Sequence, residues 1–181
     1  MVKKILLVIV LLYMPVIYQG CDCGTDIFES IDCELFVLDN TGKSPVITTE
    51  SVLSKKALGF ELRTVDTFVD HVFVADLGAA CYAWSCEPNI EHRNHISKVK
   101  VTTLNKYSDL FGANSVITSL FAKDHNTPNA SGFLDYGLLS TTDDILLLDT
   151  TALPSIQKFQ FDILFSDGLN VIKDSPTLTL F

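Results

Sequence analysis

Basic residues are scarce in this chain: thirteen lysines and arginines stand against twenty-two aspartates and glutamates, a formal charge of −9. A surface of that sign repels phosphate backbones, so nucleic acid is not an expected partner. It also supplies no basic patch for anionic lipid headgroups, so any membrane attachment has to come from elsewhere. There is a single tryptophan, Trp84, lying between the close pair Cys81 and Cys86; the spaced Cys–Trp–Cys framework of antibody domains is therefore missing. No Gly-x-Ser-x-Gly and no His-Glu-x-x-His occurs, which removes the motif-level signatures of a nucleophile elbow and of a zinc protease. There is neither an internal repeat nor a low-complexity tract.

What is present begins with an export address. Lys3-Lys4 precede an unbroken apolar run from Ile5 to Met14, then Pro15 and the junction Tyr18-Gln19-Gly20-Cys21. A charged start, a short apolar stretch and a small residue at the cut describe a secretory signal, and the run falls short of the about 20 residues that a spanning helix needs. Tyr18 is bulky at a position where ordinary signal peptidase takes a small residue. Gly20 before Cys21 instead looks like a lipobox, in which the thiol takes a diacylglycerol thioether. The expected organisation is a leader over 1–20, a turn-rich acidic tether over 21–30 and one domain over 31–181.

Five cysteines, Cys21, Cys23, Cys33, Cys81 and Cys86, leave one unmatched in an oxidising compartment. Lipidation of Cys21 leaves four, and the short loops favour Cys23–Cys33 and Cys81–Cys86. The competing reading keeps one or more thiols free and buried.

The chain beyond the tether alternates apolar and polar residues at the strand period. Ile31, Cys33, Leu35 and Val37 share a face, stopped by the turn Asp39-Asn40-Thr41-Gly42. Strands are also expected over Ala57–Val65, Val69–Val74, Ile96–Thr103, Asp144–Asp149 and Phe159–Phe165. Asp167-Gly168 turns the last of these into a return strand that Pro176 interrupts before Thr177–Phe181. Helix is confined to Ser51–Lys56 and Ser115–Ala122, the second with Val116, Leu120 and Phe121 on one face. About seven strands with one short helix predict an all-β, immunoglobulin-like β-sandwich.

Asp76-Leu77-Gly78-Ala79-Ala80-Cys81-Tyr82-Ala83, Ser85-Cys86-Glu87-Pro88, Ile96 to Thr103 and Tyr107-Ser108-Asp109-Leu110-Phe111 together resemble the small lipoproteins of Bacteroidetes-type Gram-negative bacteria. The resemblance runs from the lipid cysteine to the C-terminus. It implies a lipid-anchored envelope protein with a β-sandwich fold, and it supplies no catalytic residue.

Candidate chemistry is sparse. Cys81, Cys86, Glu91, His92 and His95 are ligand types that zinc favours, at a spacing that is not a standard zinc module. With the cysteines oxidised, Glu91, His92 and His95 still make a weak metal site. The bland reading is a disulfide-closed loop followed by a solvated turn. In Asp70-His71, strand neighbours point to opposite faces and do not meet. The oxygen-rich steps Asp143-Asp144, Asp149 and Asp167-Gly168-Leu169-Asn170 lack the order of a calcium loop and read as turn chemistry. Leu178 to Phe181 reads as a last sandwich strand rather than as the end of a membrane barrel.

The function expected is that of a non-enzymatic binding or assembly module of the cell envelope, with a protein or glycan partner and no cofactor beyond the lipid. The loop from Ala79 to His95, carrying Tyr82 and Trp84, is the expected contact surface, although Trp84 packs inward equally well. The rival is a metal-binding or hydrolytic protein built on Glu91, His92 and His95. The outer membrane or cell surface is the expected location. Asp22, directly after the lipidated position, also fits the periplasmic face of the inner membrane.

Overall fold

The computed structural model describes residues 24–42, 44–72, 88–122, 134–135, 142–147 and 155–181. The strands are β1 (Thr25–Asp39), β2 (Val46–Thr48), β3 (Val52–Leu53), β4 (Leu58–Val72), β5 (Asn89–His92), β6 (Ile96–Thr103) and β7 (Phe121–Ala122). They continue with β8 (Leu134–Asp135), β9 (Thr142–Leu147), β10 (Ser155–Gln157), β11 (Phe159–Phe165), β12 (Asn170–Asp174) and β13 (Leu178–Leu180). The fold is mostly β, in several sheets. The first runs β2-β1-β4-β9-β7, with β5 also paired to β1; the second runs β12-β11-β6-β8; the third runs β10-β13-β3. The pairings with a defined register are antiparallel except β13 with β3, where Thr179 and Leu180 lie parallel to Val52 and Leu53.

The chain divides into two compact units, residues 1–28 with 68–91 and residues 29–67 with 92–181. In the first, the described residues are the start of β1, the end of β4 and most of β5. There the Phe28 ring meets Phe68 edge-on at 5.8 Å, and Asn89 N donates to Gly24 O at 3.1 Å.

The second unit holds the core. Strand β11 sends Phe159, Phe161, Ile163 and Phe165 inward, all essentially inaccessible, and Gln160, Asp162 and Leu164 outward. From the facing sheet Phe60 of β4 lies 4.8 Å from Phe161 and 5.6 Å from Phe159, and Phe121 of β7 lies 6.0 Å from Phe159. Tilted and edge-on rings at these separations add to the burial of large apolar surface. The β11–β12 hairpin turns at Asp167-Gly168. Gly168 takes φ +93°, which glycine adopts without a Cβ penalty, and Asp167 Oδ1 accepts from Leu169 N at 2.9 Å. Ser175 then releases the chain from the second sheet to the third. Its N–H donates to Phe159 O at 2.7 Å and its hydroxyl accepts from Phe159 N at 2.9 Å, just before Pro176.

Several expectations change. Residues 25–30, assigned to a tether, are the first six of β1, and Ser30 is buried. The separate strands at 57–65 and 69–74 are one fifteen-residue β4 through Val72, because Asp66-Thr67-Phe68 holds no breaker; Phe73 and Val74 lie outside the described residues. Among the described residues thirteen strands replace about seven, several of only two or three residues. The helix expected over Ser115–Ala122 is one 3-10 turn, Thr118–Leu120, whose N-cap Ile117 makes no side-chain capping bond. β-branched Val116, Ile117 and Thr118 disfavour helix, and Thr118 bonds β6 instead, at Val101. Ser51–Lys56 carries β3 rather than a helix. In β1 the alternation breaks before Cys33: Ile31 is 54% exposed while Ser30, Cys33 and Val37 are buried. Parity switches beside Asp32, whose carboxylate accepts from Cys33 N at 2.8 Å.

Candidate functional site

The segment leading into β6 and the turn between β11 and β12 come together at one end of the second unit. His95 N donates to Ser166 Oγ at 3.2 Å and Ser166 N donates to His95 O at 2.9 Å. Between them Asn94, only 1% exposed, works as a clamp. Its Oδ1 accepts from Ser30 N at 2.7 Å, and its Nδ2 donates to Ser30 O at 2.9 Å and to Asp167 Oδ2 at 2.8 Å. One carboxamide thus supplies the donor and acceptor that β1 would otherwise take from a neighbouring strand, and ties the hairpin turn to both. Buried polar groups must be paired in this way, since an unsatisfied one costs the full desolvation penalty.

The chain of contacts continues outward. Ser30 Oγ donates to Asp66 Oδ1 at 2.7 Å, and His92 Nδ1 lies 3.5 Å from Asp66 Oδ2. Hydroxyl, carboxylate and imidazole are therefore neighbours, but in the wrong order for nucleophilic catalysis. The triad requires the imidazole to stand between hydroxyl and carboxylate and take the hydroxyl proton. Here the carboxylate stands in the middle and the hydroxyl is buried. The arrangement orients; it does not activate Ser30.

Of the metal candidates, His92 is directed at Asp66, Glu91 is exposed on β5, and His95 is engaged through its backbone. Among the described residues no group of three or more His, Cys, Asp or Glu side chains is arranged to hold a metal ion. His71, which does not meet Asp70 through its ring, instead pairs its Nδ1 with Asp26 across on β1. Both oxygens of Asp167 accept protein donors, in keeping with turn chemistry rather than a cation site. The side chains of Asp143 and Asp144, and all of Asp149, lie outside the described residues, as do Cys21, Cys23, Cys81, Cys86, Tyr82 and Trp84.

Cys33 corrects the expected Cys23–Cys33 bridge. It is a free cysteine with no exposed surface, packed in the core, and burial, helped by the negative charge of Asp32, pushes its thiol up to about 12. A thiol with that environment is an apolar core residue, unreactive toward exchange.

Sequence reasoning missed Asp26, Ser30, Asp66 and Asn94. Asn94 sits in Glu91-His92-Arg93-Asn94-His95, a run with the composition of a solvated turn. The only signal for Asp66 is a carboxylate in the middle of a strand-like stretch. Comparison with family models, with curated proteins and with solved structures finds no match for this chain in any of the three.

Proposed function

We propose that this chain is an exported, immunoglobulin-like sandwich, anchored through lipid on Cys21, that serves as a non-enzymatic binding or assembly module of the cell envelope. The observation that carries the reading is the joining of residues 94–95 to the 166–167 turn, which gathers two connections at one end of a stiff β framework. Loops held by a rigid scaffold are where binding residues concentrate. That end is the surface we assign to a protein or glycan partner; the reading of Tyr82 and Trp84 as contact residues stands beside it on the sequence alone.

Strand order supports the finer fold reading. The order β1-β4-β9-β7 in one sheet and β12-β11-β6 in the other corresponds to the ABED and GFC orders of constant-type immunoglobulin domains. Support for the anchor remains in the leader and in Gly20-Cys21. Thr25, the first residue of β1, is four steps along the chain from Cys21. Fully extended, that is roughly 14 Å at about 3.5 Å per residue, which would hold the domain against the membrane surface. The likeness to Bacteroidetes-type lipoproteins agrees with this reading.

Metabolic labelling with an alkyne fatty acid tests the anchor: label on the wild-type chain and none on Cys21→Ser is expected, and an intact Met1 in the purified protein overturns it. Protease shaving of whole cells reports the membrane side. For the presenting end, a photo-crosslinker at exposed Arg93 is expected to capture a partner that one at Leu110, beyond the opposite end of β6, does not. Equal capture at both positions refutes the assignment.

A further inference from the structure

Strand β12 ends the second sheet and, among the described residues, is bonded to a strand on one side only, to β11. Its register with β11 runs without a slip from Asn170 opposite Leu164 to Asp174 opposite Gln160. Just beyond the two ends of that register, Phe165 N donates to Leu169 O at 2.8 Å and Ser175 N donates to Phe159 O at 2.7 Å. Bonded and non-bonded positions alternate along an antiparallel ladder, so the odd positions from 169 to 175 turn their backbone groups to β11. Asn170, Ile172 and Asp174 therefore aim their N–H and C=O groups along the free edge. All three residues are exposed, Ile172 at 59%.

A row of open backbone groups is a template for another strand, and natural edges are blunted by proline, a bulge, a projecting lysine or shortness. β12 lacks these guards. At five residues it is the longest strand ending one of the three sheet orders among the described residues, and it holds neither a proline nor a bulge. Its lysine is held aside: Lys173 Nζ donates to Asp32 Oδ2 of β1 at 2.8 Å. The remaining ends are short or capped. β3, β7 and β8 have two residues each, and β2 has three directly after Pro45. In β10 the Ile156 carbonyl already accepts from Asn105 Nδ2 at 2.9 Å.

We infer that β12 pairs antiparallel with β12 of a second copy of this chain, about a two-fold axis at Ile172. That register sets Ile172 opposite its own copy and Asn170 opposite Asp174 at either side, and each such pair exchanges both N–H···O bonds. The side chains agree with it. Ile172 meets Ile172 at the centre, Val171 meets the aliphatic stem of Lys173, and no like charges stand opposite one another. Asp174, whose carboxylate accepts from Lys158 and Gln160 of its own chain, faces the uncharged Asn170. The neighbouring registers fail. An axis at Lys173 sets two ammonium groups face to face and brings Pro176, which has no N–H, opposite Asn170. An axis at Val171 sets Asp174 against Gly168 of the turn. A parallel pair sets lysine beside lysine and aspartate beside aspartate. This self-complementarity selects a second copy over an unrelated strand, and a two-fold pair uses both edges and closes at two. The inference goes beyond the end-loop surface proposed above and does not rest on it.

The test is sedimentation velocity on the full chain in detergent, with micelles in large excess over chains. An edge pairing buries little area, so the wild-type chain is expected to pass from monomer to dimer between about 10 and 500 µM. Ile172→Lys sets two ammonium groups on the axis at an exposed position, and is expected to raise the dimer dissociation constant at least about tenfold with an unchanged circular-dichroism spectrum. Ile172→Val keeps the dimer. Association driven by lipid or micelle does not follow this pattern, since the three chains share one N-terminus. Oxidative cross-linking reads the register. A bonded pair on the axis holds its Cα atoms about 5.5 Å apart, within disulfide range. Ile172→Cys is therefore expected to give a covalent dimer above the wild-type background, and Ile47→Cys on the β2 edge none. Amide exchange at Asn170, Ile172 and Asp174 slows as concentration rises, whereas exchange at Val171 and Lys173 does not. The inference is overturned by a chain still monomeric at about 500 µM, the weak end of small interfaces. It is equally overturned by a dimer that Ile172→Lys leaves intact, by equal cross-linking from the two cysteine variants, or by open-ended polymers in place of a dimer.

Discussion

Replacing Asn94 with alanine removes three hydrogen bonds at once: two neutral ones to Ser30 N–H and C=O, and one to the Asp167 carboxylate. A neutral bond contributes about 1 kcal/mol net and one to a charged group about 1.5–3 kcal/mol, and a buried backbone group left unpaired costs a further amount of the same order. Water reaching the cavity recovers part of that. Asn94→Ala should therefore destabilise the protein by about 3–5 kcal/mol, read as a lower midpoint at unchanged slope in urea unfolding. Asn94→Asp separates hydrogen bonding from shape. It keeps the acceptor for Ser30 N–H, loses both donors, and places a carboxylate against Asp167 and a carbonyl oxygen. At neutral pH it should be worse than alanine. Because the introduced carboxyl is easier to protonate in the folded state than in the unfolded chain, its deficit should shrink as pH falls through the carboxylate range. A loss below about 1 kcal/mol for Asn94→Ala, the worth of a single neutral bond, or an Asn94→Asp deficit indifferent to pH, would refute the clamp.

Phe60 touches Phe121, Phe159 and Phe161, so Phe60→Ala should cost about 3–5 kcal/mol, and calorimetry showing less than half of that would mean the two sheets do not share this core. Acid should loosen β12 first. A hydrogen bond from Lys173, then one from Cys33 N–H, holds Asp32 below the usual carboxylate range; bonds from Lys158, then Gln160, do the same for Asp174. Such groups stabilise fully above the unfolded value of about 3.9 and lose that contribution as pH falls through the lower folded value. Hydrogen exchange of β12 amides should therefore rise below pH about 4, and no such rise would refute the linkage. Cys33 works in the opposite direction. With its folded value raised to about 12, its contribution is complete below the unfolded thiol value of about 8.5 and disappears as pH climbs toward the folded one. Cys33→Ala should show a flatter loss of stability on the alkaline side.

The strands that were legible are those where one face is fully buried. β11 and β6 match their expected bounds because Phe159, Phe161, Ile163 and Phe165, and Val99, Val101 and Thr103, alternate without interruption. The Asp167-Gly168 turn was legible because only glycine takes its conformation cheaply. β1 was legible only in its second half: Thr25 to Ser30 carries polar residues whose partners, such as His71 and Asn94, are 45 and 64 positions away. Local periodicity has no access to such pairings. The same limit hid the clamp, since an asparagine in a polar turn and a buried one read identically until the 166–168 turn is brought to it. Sequence spacing also suggested a zinc-like set at Glu91, His92 and His95, but direction along the strand and bend decides contact, and His92 turns to Asp66.

The place of Cys33 changes what the cysteine count can say about export. An odd total argued for lipid on Cys21 only if every other cysteine needed a partner. A thiol buried in the core needs none, and the four that remain, Cys21, Cys23, Cys81 and Cys86, are already an even set. Lipidation therefore rests on the leader and the Gly20-Cys21 junction, and parity becomes a measurement instead of a premise. Disulfides remove thiols two at a time, whereas a thioether on Cys21 removes one. Titrating unreduced, denatured protein with a thiol reagent should give an even number, two when one disulfide is present alongside Cys33 and the lipid. Five would mean a chain that never met an oxidant, and one would mean two disulfides with Cys21 among them; either odd result excludes the lipid on Cys21 without any assumption about which cysteines pair.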